Sequence, residues 1–448
     1  MSAPARRWWI IIGLFCLATL CLELYYIFEF RSDLQQNVLP TGQLVESRVW
    51  GDGLVYSAQA NYLAAGEGLV APLPRELFGV IQQSADHPPL YTLYLAFWSM
   101  LGVKSQVGHM VVTAFASSLT PAAFGLLGRR VAGPLVGLVA AFIGAFTPSV
   151  WSAPGFVLAE SLTIPLAAMA AYFAYRTYDE PTMANAALLG LFTGLATQAR
   201  AELSAYVVVA VVPLIVVVLR RYSWRHRLGM LAAAGVACAA VVLPWVGYNL
   251  ARFEEPVYMS IGLDYSVAQA NCDESYSDEY IGYYWLACMG EALDGTGLAY
   301  VDQSLGAAHL RETGVDYALD HRRRAVTAVA ARLGRVAGVF HPVQQARLNS
   351  LIAGREPWVA NTAVLLWYPM TVLAAIGYVM LHRRGRPVFP LLALVAVTAI
   401  AVAMSLAVLR YRAPLEPVLA VGVAVALVAA GRFVATAWRD TDQPAQVP

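Results

Sequence analysis

The chain has 448 residues, 59% hydrophobic and 13% charged, with a formal net charge of +1. A soluble domain carries about 25% charged residues, so this composition excludes an ordinary soluble protein and fits a polytopic membrane protein. The near-neutral balance, with no basic tail, gives no reason to expect a nucleic-acid partner, and no internal repeat is visible, which weighs against an inverted-repeat transporter.

Spans are runs of about 20 apolar residues, enough to cross a hydrocarbon core of about 30 Å. Arg6 and Arg7 precede "WWIIIGLFCLATLCLELYYIFEF". That run exceeds the apolar core of a signal peptide and no small-residue cleavage site follows, so 8–30 reads as a retained first span. Further spans are expected at 107–128, 132–150, 156–176, 184–201, 203–220, 229–249, 359–381, 388–409 and 414–435. The run at 88–103 is shorter and reads as a re-entrant or interfacial helix. The expected fold is one all-α polytopic membrane domain, 1–448, with about ten transmembrane helices.

Arginines in short loops mark the cytoplasmic side. Arg6 and Arg7, Arg129 and Arg130, Arg176, the Arg220–Arg227 cluster, Arg383–Arg386, and Arg432 with Arg439 all fall on one side if ten spans cross. Both termini are then cytoplasmic. The outer side receives a long first loop (31–106), a tight turn near Ser152–Phe156, a turn near Arg200–Leu203, the longest loop (250–358) and "RYRAPLEP".

Chemistry-bearing residues collect on that outer side. Asp52 lies between two glycines in "VWGDGLVYSAQANYLAAGEG", where it reads either as a helix cap or as a functional carboxylate. His87 precedes the Pro-Pro pair of "SADHPPLYTLYLAF" at the membrane surface. Glu160 stands in the first turns of the fourth span, where a carboxylate is costly and marks a functional site by default. Arg200 and Glu202 occupy a tight outer turn, free to pair with each other or with Glu160. Arg410 and Arg412 sit where short outer loops disfavour arginine, so they need an anionic partner or snorkel to lipid phosphates. Carboxylates for acid–base work beside forked guanidinium donors for a phosphate make a coherent site. Cys272 and Cys288, with fifteen residues between them in the longest polar segment, read either as an extracytoplasmic disulfide or as two unrelated thiols. In "DHRRRAVTAVAARLGR" an amphipathic helix is expected, with Ala325, Val326, Val329 and Leu333 on one face, fit to lie on anionic lipid.

Several segments together resemble an integral-membrane glycosyltransferase of the C superfamily (GT-C), near the bacterial protein-mannosyltransferase and aminoarabinose-transferase group. They are "GDGLVYSAQANYLAAGEG", "HPPLYTLYLAFWSMLG", "LAESLTIPLAAMAAYFAY", "ALLGLFTGLATQARAE", "LPWVGYNLARFEEPVYMSIGLDYSVAQAN" and "LRYRAPLEPVLA". The chain departs from that family in its single Asp52, in His87 where Lys is common, and in Tyr248 where an Arg is expected before Asn249.

The resemblance implies juxtamembrane helices in the first outer loop, a large outer loop before the eighth span, and an active site on the outer face of the cell membrane. It implies a polyprenyl-phosphate sugar donor and inverting transfer to an acceptor hydroxyl of a glycan, lipid or protein. Asp52 would be the base. Arg410 and Arg412, with Arg200 and His87, would receive the donor phosphate, and Glu202 and Asn249 would support them. Glu160 has three open roles: binding a divalent cation such as Mg or Mn, orienting His87, or holding an arginine. Rival readings are a transporter or flippase of a polyprenyl-phosphate glycan, or a non-catalytic lipid-binding membrane subunit. Ionisable residues gathered at span ends rather than at mid-membrane favour the enzyme.

Overall fold

The computed structural model describes residues 3–38 and 44–441, whose regular elements are almost all helices. In a bilayer no water satisfies the backbone, so each apolar run closes its hydrogen bonds within a helix. The first helix, α1 (Ala3–Tyr26), runs on as a π-helical turn to Arg31. A short antiparallel hairpin, β1 (Gln35–Val38) with β2 (Leu44–Ser47), pairs Gln35 with Ser47. The first loop then carries α2 (Asp52–Ala64), α3 (Pro72–Phe78) and α4 (Leu90–Met100).

Next come α5 (Gln106–Ser117), α6 (Thr120–Ala132), α7 (Pro134–Phe146), the short α8 (Pro148–Trp151), α9 (Glu160–Asp179), α10 (Met183–Ala199) and α11 (Trp224–Leu250). The large loop holds α12 (Gly262–Ala270), α13 (Asp273–Tyr276), α14 (Ala287–Leu293), α15 (Gln303–Asp320), α16 (Arg322–Ala337) and α17 (Pro342–Ala353). The chain re-enters the bundle as α18 (Pro357–Arg383) and α19 (Phe389–Met404), turns through a 3₁₀ segment at Leu409–Leu415, and ends in α20 (Glu416–Thr441).

Helical segments occupy all ten expected spans. Among the described residues six are long and apolar enough to cross a membrane, and a seventh if α7 and the segment after it, bent by 53°, form one span. α10 and α19 have 17 and 16 residues, and α9 carries Glu160, Arg176 and Asp179. The doubtful run at 88–103 contains α4, whose 11 residues extend only about 16 Å, roughly half a bilayer core. The chain ends, assigned to the cytoplasm by the arginine pattern, lie outside the described residues.

The main core joins α6, α7, α9, α10, α18, α19 and α20 through Ala, Val and Leu. Lipid tails give apolar side chains no reason to prefer one another, so close packing of small residues matters more here. At two crossings the backbones touch. A Cβ on Gly190 would lie 2.0 Å from the Ala234 carbonyl oxygen, and one on Gly377 would lie 2.0 Å from that of Gly422.

The large loop departs from expectation at α16. Two of its five arginines turn inward: Arg332 is 2% and Arg335 0% exposed, while Arg322, Arg323 and Val326 are exposed, Val326 at 72%. Arg332 donates to Asn271 Oδ1 at 2.9 Å and Arg335 Nε to the Ile281 carbonyl at 2.8 Å. Guanidinium groups that satisfy stranded loop carbonyls pin α16 to the segments around α12–α14, so Arg332 and Arg335 are not offered to lipid.

Candidate active site

Asp52 does not cap α2. The residue before the helix is Gly51, at φ 55, a conformation that strains any residue with a Cβ, and Asp52 is the first helical residue. Gly53 packs directly on the backbone of the segment before α9, where an added Cβ would come within 2.1 Å of the Phe156 carbonyl oxygen. The adjacent Val157 has φ 52, an uncommon conformation for a β-branched residue, at the corner that leads to Glu160. The Gly-Asp-Gly step therefore locks the start of α2 to the head of α9.

Three distant segments meet at the Asp52 carboxylate. His87 Nε2 lies 3.3 Å from Oδ2, and Arg410 forms an ion pair with the same oxygen. Burial disfavours the charge on Asp52, but Arg410 and then His87 more than offset it, holding the carboxyl well below the usual carboxylate range. The Tyr56 ring, one turn along α2, lies 4.5 Å from that of His87. His87 Nδ1 is buried without a hydrogen-bond partner among the described residues.

A second cluster adjoins the first. Arg200 joins Glu160 Oε1 and Glu202 Oε1, each at 2.5 Å, and its guanidinium lies 4.7 Å over the Tyr411 ring. Tyr411 follows Arg410 directly, so the two clusters share the 3₁₀ turn. Of the roles open to Glu160, the geometry has it holding an arginine.

Arg412 goes elsewhere. A 3₁₀ turn rotates successive side chains by about 120°, so residues two apart diverge. Arg412 is 8% exposed, donates from Nε to the Val336 carbonyl at 2.7 Å, and stacks 3.8 Å over Trp367. Asn249 also lies apart from Asp52. Its Oδ1 accepts from Arg252 Nη2 at 2.9 Å, and Arg252 in turn donates to the Ser84 carbonyl at 2.7 Å. Asn249 thus braces the loop that presents His87, and Arg252 stacks on Tyr248 at 4.6 Å.

Cys272 and Cys288 are joined in a disulfide. With Glu274 they are the only group of three potential metal ligands gathered together among the described residues, but disulfide sulfurs are not thiolates and offer a cation little. Around Asp52 and Glu160 the balancing charges are guanidinium groups.

Two arginines at this end escaped the sequence reading. Arg31 is 1% exposed, pairs with Glu356 at 3.1 Å and lies 4.2 Å over Phe156. Arg355 lies 5.0 Å over the same ring, feels the charge of Glu160, and buries its Nε without a hydrogen bond. It forms no ion pair among the described residues, whereas Arg200 and Arg410 are both engaged. Like Arg410, Arg355 stands at the end of a helical span, just before α18.

Residues 86–248 match the family model described as dolichyl-phosphate-mannose-protein mannosyltransferase, a stretch that includes His87, Glu160, Arg200 and Glu202. No curated protein matches the sequence. Among solved structures, the oligosaccharyltransferase AglB from Archaeoglobus fulgidus, in complex with an inhibitory peptide and a dolichol-phosphate, superposes with a TM-score of 0.54 at 15% identity over 100% of this chain and 53% of its own. The apo form of the Archaeoglobus fulgidus oligosaccharyltransferase gives 0.57 at 13% identity, over 97% of this chain and 52% of that one. Its complex with zinc and sulfate gives 0.52 at 14%, over 95% and 49%. The chain spans about half the length of these structures. Across that half, this chain shares the fold of these oligosaccharyltransferases.

Proposed function

We propose that the chain transfers a sugar from a polyprenyl-phosphate donor to an acceptor hydroxyl at the outer face of the cell membrane, with inversion. The observation that carries this reading is the Asp52 carboxylate, held at the start of α2 by His87 from the same loop and by Arg410 from the turn before α20. The dolichol-phosphate in the AglB complex supports a lipid phosphate as the leaving group.

In this reading the acceptor oxygen attacks the anomeric carbon from the face opposite the phosphate. The new C–O bond forms, the bond to the phosphate oxygen breaks, and the lipid phosphate leaves with the electron pair. Asp52 takes the hydroxyl proton and offsets the positive charge on the oxocarbenium-like sugar. Arg355, unpaired, and Arg410, released from Asp52 as the phosphate enters, receive the growing negative charge. His87 keeps Asp52 oriented, Glu160 and Glu202 hold Arg200 over Tyr411, and Arg412 anchors the turn. Arginines balance the carboxylates, so no step is assigned to a divalent cation.

The test supplies membranes containing the full chain with radiolabelled polyprenyl-phosphate sugars and identifies the labelled product. Label appearing in a glycan, lipid or protein with wild type, but not with Asp52→Asn, is the expected result. Equal labelling by both proteins, or none from any donor, defeats the proposal.

A further inference from the structure

The bundle has a second concentration of arginines, at the end away from Asp52. α9 runs from Glu160 to Asp179, 20 residues in all, a length of about 30 Å. The two sites are thus separated by about one hydrocarbon thickness.

At the Asp179 end a cavity of about 650 Å³ opens between α6, α9 and the α18–α19 connection, lined by Arg129, Arg130, Gly133, Tyr172, Asp179 and Arg386 among others. Small-ligand sites commonly occupy about 300–1,000 Å³. Its walls are ordered by charge. Asp179 is clamped between Arg130 Nε at 2.8 Å and Arg386, whose Nη1 and Nη2 lie 2.5 and 2.8 Å from its two oxygens. Arg386 also donates to the Arg130 carbonyl at 2.9 Å, and Arg130 reaches Glu180 at 2.8 Å.

Arginines that only set topology need nothing but solvent, yet Arg130 and Arg386 are 23% and 22% exposed and folded into a wall. The clamp leaves the cavity positive. Arg129 has no carboxylate partner among the described residues and stacks 4.8 Å over Trp8. Arg386 Nε is buried without a hydrogen bond. Gly133 immediately precedes α7, so the positive end of that helix dipole adds to the field.

We propose that this cavity binds the phosphate group of an anionic ligand, and its position favours the headgroup of a membrane glycerophospholipid. Forked guanidinium donors suit phosphate oxygens, and basic pockets between transmembrane helices take lipid headgroups. Trp9 and Ile10, next to Trp8, are 42% and 53% exposed and offer acyl chains an apolar flank.

The experiment is native mass spectrometry of the purified full chain with phosphatidylglycerol or phosphatidylcholine added. Wild type should retain phosphatidylglycerol selectively, and Arg129→Gln and Arg386→Gln should each weaken that retention about tenfold, the scale of one charge-assisted hydrogen bond. Arg386→Gln also strips Asp179 of a partner, whereas Arg129→Gln breaks no ion pair and tests the site without that burden. Displacement of the lipid by glycerol 1-phosphate assigns the site to phosphate compounds in general, and persistence assigns it to the lipid. Equal retention of the two lipids by wild type, or unchanged retention by a folded Arg129→Gln variant, overturns the proposal.

Discussion

Asp52→Asn should separate turnover from donor affinity, and in opposite directions. Asn keeps the shape of the side chain but cannot take a proton, and loss of a general base slows a reaction by about 10²–10⁴-fold. Arg410 is committed to Asp52, with 28% of each side chain exposed. In the proposed reaction the donor phosphate competes with Asp52 for the guanidinium. A charge-assisted hydrogen bond contributes roughly 1.5–3 kcal/mol when buried, and partial exposure pulls such a pair toward about 1 kcal/mol. Removing the competing charge should tighten the donor dissociation constant by about three- to tenfold. The assay is equilibrium binding of a labelled polyprenyl-phosphate sugar beside single-turnover transfer, both in membranes of equal protein content. Weaker donor binding by Asp52→Asn would mean that Asp52 itself holds the donor. Turnover near wild type would reduce Asp52 to a structural residue.

Arg410→Lys should slow transfer about tenfold or more, because lysine lacks the fork, whereas Arg412→Lys should leave the rate of folded protein unchanged and lower its thermal midpoint, through loss of the Val336 bond and the Trp367 stack. Transfer rates beside melting curves decide this, and a catalytic loss confined to Arg412→Lys would reverse the assignment. Arg355→Gln should raise the donor KM about tenfold without shifting the melting curve, and an unchanged KM removes Arg355 from the site. Chelation with EDTA should leave transfer intact, and activity lost on chelation and restored by added Mg or Mn would place a cation beside the carboxylates.

The positions of the helices were legible because apolar runs of span length have few alternatives in a bilayer. The clustering at one end was legible for the same reason: Asp52, His87, Glu160, Arg200 and Arg410 stand at span ends or in loops, and the fold brings those ends together. What periodicity hides is direction. "RYR" presents two equal arginines, and only the 3₁₀ geometry of Leu409–Leu415 sends one to Asp52 and the other to Val336. In α16 the hydrophobic pattern suggested a lipid-facing charged surface. Loop carbonyls instead capture Arg332 and Arg335, a tertiary demand that no local pattern records. Span number is the least legible feature, since bent, short and charge-bearing helices such as α7–α8, α10 and α9 are tolerated where neighbours bury them.

The Gly51–Asp52–Gly53 step has a consequence for how this protein tolerates change. A side chain that touches another side chain can be accommodated by a new rotamer, but Gly53 rests on a carbonyl oxygen of the main chain, and a peptide group has no rotamer to offer. Even a methyl group at Gly53 must lift the start of α2 away from the head of α9, and Asp52 travels with it. Gly51, at φ 55, resists replacement for a separate, conformational reason. A saturation scan would then find not one intolerant residue but a block of three, two of which never touch substrate. Gly53→Ala should keep every ionisable group of the site and still lose transfer.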